Sequence, residues 1–388
     1  MFTAGLSHAS RSVIIICGLS SLVAHAQSFT QQYGGRLSQD GVGIALRGGQ
    51  YLIATTVFDS TTVQHRGKLL ITGSDGQQVS WNELPIAGAV FLHAAEPSSD
   101  GGVFLAGSVI VPGGSTHDGL LVKLDATGAL QWVAQPERTG DEQYFDIASL
   151  PDGGAVVCGV ENTGAGHDAW TCRFNADGGT LWNTSAGGPL DEEANAVAVN
   201  ADGAMLTGRQ MNFGGTSDAW FAWIDLGGVV QMTTSWGGPG TEAGRALIPV
   251  GADHFVMAGV TDSYGMFDTT EHRIKDNVWL IAINTNGDTL WTRSVGDTLF
   301  DHGAWCLDRA GNGDLLLGGE RYSQGLSDAL VQRVDTSGAL IWERGIDTGK
   351  EEKLLGLRAL PDGVVATGWS FTELSRQVLL LRRNALGD

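Results

Sequence analysis

The chain predicts an all-β fold built from one unit repeated around a closed ring, and three observations carry that prediction. First, an Asp/Asn-x-x-Gly…Trp phrase recurs from end to end: Asp125-Ala126-Thr127-Gly128 with Trp132, Asn175-Ala176-Asp177-Gly178 with Trp182, and Asp335-Thr336-Ser337-Gly338 with Trp342. Second, Trp81, Trp132, Trp182, Trp291 and Trp342, with Met232 in the gap, are spaced by 51, 50, 50, 59 and 51 residues. Third, each interval breaks at glycines and Asp-Gly pairs into four strand-sized segments. A period near fifty with four strands per unit is the pattern of a β-propeller. Every window of a dozen residues that shows apolar side chains at three-four spacing is interrupted by glycine or a turn pair, so helices are not expected.

The unit running from Trp182 to Met232 is the most regular. Its strands are expected over 180–185, 194–199, 204–208 and 219–225, with Asp202-Gly203 as the hairpin between the second and third. Glycine tolerates the positive φ that such a turn needs. The same turn stands at Asp100-Gly101, Asp152-Gly153 and Asp362-Gly363, with Asn312-Gly313 as a variant. The fourth segment, Ala219-Trp220-Phe221-Ala222-Trp223-Ile224, is apolar on both faces, as is its counterpart from Asn277 to Ile283. A strand of that kind is covered on two sides, which blades stacked face to face provide.

The termini set the number of blades. Gly187 follows Trp182 by five residues, and five back from Gly34 in Tyr33-Gly34-Gly35 stands Phe29, an aromatic in the tryptophan slot. The last residues, Leu379 to Asp388, match Trp170 to Gly179, so the chain stops where the next tryptophan strand would begin. The strand missing at the end is thus the first one in the chain. Six whole units and one split unit predict a seven-bladed β-propeller of four-stranded antiparallel blades over residues 27–388, the last blade closed by the N-terminal strand. Closure removes two sheet edges open to aggregation.

Composition narrows partners and location. The 57 glycines fall at fixed places between Val-, Leu-, Ile- and Trp-rich segments, as turn residues do. A net charge of −20, from 43 acidic against 23 basic side chains, argues against nucleic acid and anionic membrane. Residues 1–26 read as a signal peptide: Arg11 precedes an apolar run from Val13 to Leu19, and Ala24-His25-Ala26 stands before Gln27. The run is shorter than the ~20 apolar residues a membrane span needs, so the expected location is secreted or extracellular, periplasm or cell surface included. Lipidation at Cys17 is not expected after Ile16. The remaining cysteines, Cys158, Cys172 and Cys306, are odd in number and are expected as small core residues. Cys158 and Cys172, on consecutive strands, leave a bridge open.

The run Trp-x4-Gly-Gly, Asp-Gly, Gly, Asp-Ala-Trp and Asn/Asp-x-x-Gly…Trp resembles secreted bacterial β-propeller repeat proteins, whose functions are largely uncharacterised, over residues 28–388. More distantly, the segment from Leu121 to Trp132 is similar to the tryptophan repeats of quinoprotein-type propellers. The stretch from Asn175 to Trp182 resembles the Asp-box of sialidases, with Asn175 in the Ser/Thr slot. These resemblances imply a fold, and folds host many unrelated functions.

Two sets of residues are candidates for function. The loops after the tryptophan strands carry a carboxylate in six of the seven blades, at Asp40, Asp141, Asp191, Glu242, Asp301 and Glu351, the blade around Val90 lacking it. Six acids at one mouth suit a hard cation such as calcium; the alternative is that each carboxylate satisfies backbone N–H groups of its turn. The second set lies where the repeat fails. The loop 261–276 is about nine residues longer than its counterparts and carries Tyr264, Met266, Phe267, His272 and Arg273, the apolar and charged types through which loops on a rigid scaffold recognise ligands. His117-Asp118 and His167-Asp168 are too sparse for a metal site. No Gly-x-Ser-x-Gly elbow is present. The expected function is a monomeric, non-enzymatic scaffold that binds protein or glycan. The alternatives are a carbohydrate hydrolase using acids at the axial mouth and a structural envelope or surface component.

Overall fold

The computed structural model describes residues 28–136, 140–162, 164, 166–323 and 325–388. The expected leader, residues 1–26, lies outside the described residues. Strands account for all the regular structure described, and they form seven four-stranded antiparallel sheets set around an axis and one two-stranded hairpin outside them. Blades 1 to 6 span 38–83, 89–134, 141–186, 192–236, 242–295 and 301–346. Blade 4 shows the pattern from the axis outward: Glu192–Val199, Gly203–Met211, Ser217–Asp225 and Val230–Trp236. The expected boundaries hold to within three residues. In blade 7 the outermost strand is Phe29–Tyr33, paired with Arg376–Asn384 in the register Phe29 to Arg382 and Tyr33 to Val378.

The core is divided among the blade interfaces. Seven apolar clusters of described residues each join two neighbouring blades, the last joining blade 7 to blade 1 through Tyr33, Val378, Leu380, Ile53 and Leu70. Third strands feed two clusters at once, as their double-sided apolar pattern requires. Trp220, Ala222 and Ile224 pack toward blade 3, and Ala219, Phe221 and Trp223 toward blade 5.

The repeated phrase now has a physical reason. Asp125 Oδ1 accepts the N–H groups of Thr127 (2.7 Å) and Ala129 (2.9 Å), and Gly128 takes φ +87° to close the turn. Three of the tryptophans donate to this turn in the next blade, whereas Trp81 donates to Thr55 Oγ1 of its own blade (3.1 Å). The indole Nε1 of Trp132 donates to Ala176 O (3.0 Å), that of Trp182 to Leu226 O (3.0 Å) and that of Trp342 to Ala385 O (3.2 Å). A Cβ on Gly178 would stand 2.9 Å from the Trp132 ring, so the girdle needs the glycine for close approach as well as for φ. Phe29 covers Gly76 of blade 1 in the same way.

Cys158, Cys172 and Cys306 are buried and are not bridged to one another. Cys158 lies opposite Thr171 and Cys172 opposite Val157, one register apart, so the first packs toward blade 4 and the second toward blade 2. No helix among the described residues is long and apolar enough to cross a membrane.

Candidate functional site

The long loop folds as a hairpin whose two short strands, Phe267–Asp268 and Arg273–Ile274, pair with each other. It is held by charge. Lys275 is fully buried and bridges Glu271 (2.9 Å) and Asp268 (3.5 Å). Arg273 reaches Glu271 (2.8 Å) and forks onto both carboxylate oxygens of Asp301 in blade 6. Burial works against the charge on Asp301, yet the Arg273 fork and the Asp276 N–H hold its carboxyl below the usual range. At the loop's root Glu242, wholly buried, accepts Thr261 Oγ1 (2.8 Å) and Ser263 N–H (3.2 Å). The Tyr264 hydroxyl donates to Gly237 O (2.7 Å), and its ring lies 5.3 Å from that of Trp279. Trp236, Tyr264, Trp279 and Arg293 line a groove of about 360 Å3 beside it. On the hairpin Met266 and Phe267 are about half exposed. His272 is exposed at φ +55°, its Nδ1 3.2 Å from Thr270 O.

The structure therefore brings Tyr264, Phe267, His272, Arg273, Glu242 and Asp301 to one side of the ring. It leaves Asp141, Asp191 and Glu351 in other blades. Asp141 accepts the His117 N–H of blade 2 (3.1 Å) and Asp191 the His167 N–H of blade 3 (3.0 Å), so these acids tie neighbouring blades together. The Glu351 carbonyl accepts the Phe371 N–H (2.7 Å), and Asp40 pairs with Arg376 (3.2 Å). The six acids do not share one register. Asp141, Asp191, Asp301 and Glu351 begin their innermost strands or just precede them, whereas Glu242 aligns with Glu142, Glu192 and Glu352, the next residue along. That second position is the buried one, and it explains the paired glycines: Glu192 accepts Gly188 N–H (2.9 Å) and Glu242 accepts Gly238 N–H (2.8 Å). Among the described residues, one set of three carboxylates brings its oxygens within 4.8 Å of one another, Asp328, Asp347 and Glu352. The acids named from the sequence are not in it.

The axial channel was not visible in the sequence. It encloses about 560 Å3 and is lined by all seven innermost strands. Each of those strands carries a β-bulge at the same place, leaving Val42, His93, Phe145, Asn195, Arg245, Trp305 and Leu355 unpaired in the ladder and facing the channel. A bulge re-aims a side chain, and here seven equivalent positions hold seven different residues. Arg245 lies over the Trp305 ring (4.5 Å), as does Lys353 (3.4 Å), while His93 meets Phe145 edge to face (5.5 Å). Deeper along the same wall Arg358 reaches past blade 1 to Glu96 (2.5 Å), and Asp146 accepts Val197 N–H (2.9 Å). Burial pushes Asp146 up to about 7 and His93 down to about 4. No repeated residue type marks this tier in the sequence, since the seven bulge positions hold seven different residues.

No family model matches the chain, and no curated protein matches it. Solved structures do. The chain is similar to the Pan2 WD40 domain of Neurospora crassa (TM-score 0.51, 8% identity, 87% of this chain and 88% of that one). It is also similar to Sqt1 of Chaetomium thermophilum bound to the N-terminus of a ribosomal protein (0.52, 12%, 91% and 86%). A third likeness is to a serine-to-alanine mutant of puromycin hydrolase complexed with PGG (0.56, 16%); it covers 91% of this chain and 52% of that one. At such identities the likeness shows the propeller fold alone.

Proposed function

We propose that the protein is a secreted, non-enzymatic propeller that docks a protein partner through the hairpin 264–276 and the groove beside it. One observation carries this reading: Met266 and Phe267 stand about half exposed on a hairpin locked from below by a buried lysine and an arginine fork. An apolar crest that is rigid before binding loses little entropy on docking. The hairpin's own cations are taken up by Asp301, Glu271 and Asp268, so a partner with an apolar centre and a basic rim suits a chain of net charge −20. The Sqt1 propeller bound to a ribosomal-protein terminus is a precedent for the fold's use in this way. The hydrolase reading is less well supported, because Asp141, Asp191 and Asp301 are each engaged with a backbone N–H group.

The test is an array of secreted proteins and of glycans, probed with the wild type and with the Tyr264→Ala, Phe267→Ala double variant. Protein signals should fall by at least about tenfold in the variant, with melting temperature little changed because both side chains are half exposed. Binding that survives the double change rejects the hairpin's role, and signals confined to glycans move the reading to a lectin. Secretion is checked separately: the exported protein should begin at Gln27.

A further inference from the structure

We infer that the axial channel is a binding site for a small organic carboxylate, with Arg245 as its counter-charge. The inference is independent of the hairpin. Arg245 projects from the bulge of blade 5 into the channel and makes no hydrogen bond or ion pair with any described residue; its Nε is buried without a partner. Burial works against its charge. The channel's other lining cation, Arg358, is taken by Glu96 (2.5 Å), and the nearby Arg209 and Lys353 by Glu193 (2.7 Å) and Glu320 (2.8 Å). An enclosed guanidinium left unpaired is costly, and a bound anion removes that cost.

Two more atoms of the same ring point the same way. Trp305 Nε1 and His93 Nε2 are buried and unpartnered, and buried polar atoms are otherwise nearly always satisfied. Trp305 can only donate. The fork of Arg245 offers paired donors to an oxyanion, and a planar carboxylate matches the guanidinium two-for-two. Phe145 and the aliphatic lining suit an organic body better than a bare inorganic ion. The volume of about 560 Å3 admits an acidic monosaccharide or a molecule of similar size.

The experiment is calorimetric titration and thermal melting of the full chain with D-glucuronate, beside glucose (the ring without the charge) and sulfate (the charge without the organic body). Glucuronate should bind and raise the melting temperature, and glucose and sulfate should do neither. Arg245→Met removes the lone cation while keeping bulk, so the ligand-free variant should melt no lower than wild type, and its affinity for glucuronate should drop by roughly a hundredfold. Arg245→Lys keeps the charge but not the fork and should bind more weakly than wild type. Equal binding of glucuronate by wild type and Arg245→Met, no binding by wild type, or glucose or sulfate binding as tightly would each overturn the assignment.

Discussion

Deleting residues 28–35 should abolish the folded monomer, and moving the same residues to follow Asp388 should restore it. The deleted strand supplies the outer edge of blade 7, from Phe29 opposite Arg382 to Tyr33 opposite Val378. Tyr33 is buried between blades 7 and 1 and donates its hydroxyl to Gly76 O. Arg383 holds Phe29 O (2.8 Å) and Thr30 Oγ1 (2.9 Å) from the other terminus. Removing a buried aromatic costs about 3–5 kcal/mol, and the strand exposed by the cut is the apolar run Val378-Leu379-Leu380-Leu381, an edge open to aggregation. A total loss above about 5 kcal/mol is of the order of a whole domain's stability. Relocation is geometrically simple, since Ser28 Oγ donates to Asp388 O at 2.5 Å. Melting curves of both proteins check the prediction. A deletion variant that melts like wild type contradicts the closure, and a permuted chain that stays unfolded means the strand's order of synthesis matters beyond its position.

The second large effect is pH-dependent stabilisation by Asp146→Asn. Burial raises Asp146 from the carboxylate value of 3.8 to about 7. A group whose folded pKa lies above its unfolded one binds its proton more tightly when folded, so native stability falls as pH rises from about 4 to about 7 and is level beyond. At 1.36 kcal/mol per pH unit the fall is up to about 4 kcal/mol, and water reaching the channel reduces it to roughly 2. Asparagine is neutral throughout and can still accept the Val197 N–H (2.9 Å in the parent) through its side-chain oxygen. Urea unfolding at pH 4 should find the two proteins alike, and at pH 8 the variant should be more stable by about 2 kcal/mol. A difference that is the same at both pH values means Asp146 is ionised across the range.

The fold was legible because what it needs is local and repeated. Gly128 and its counterparts must take positive φ, Asp125 and its counterparts must hold two N–H groups, and large apolar side chains, most of them rings, cover such turns. Each requirement restricts residue type at a fixed spacing. Phe29 was readable for the same reason, as a ring owed to Gly76. The candidate site was half legible. The insertion around Tyr264 and Phe267 stood out by length, but the sequence could not tell that Arg273 is spent on Asp301 or that Lys275 is buried under the hairpin. The acids misled by one register, because Asp191 and Glu192 are neighbours in the chain yet only Glu192 is buried against its turn.

By itself the sequence determined the repeat, its phase, the number of blades and the closing strand, all of which follow from turn chemistry and strand alternation within fifty residues. Only the tertiary structure decided what lies on the axis. Arg245, Trp305, His93 and Phe145 are 212 residues apart at most in the chain, and nothing in their neighbours marks them. They meet because every innermost strand bulges at the same height and the ring carries all seven bulges to one channel. Whether a charge is paired there depends on which blades face each other across the axis, a relation between units that no single repeat contains.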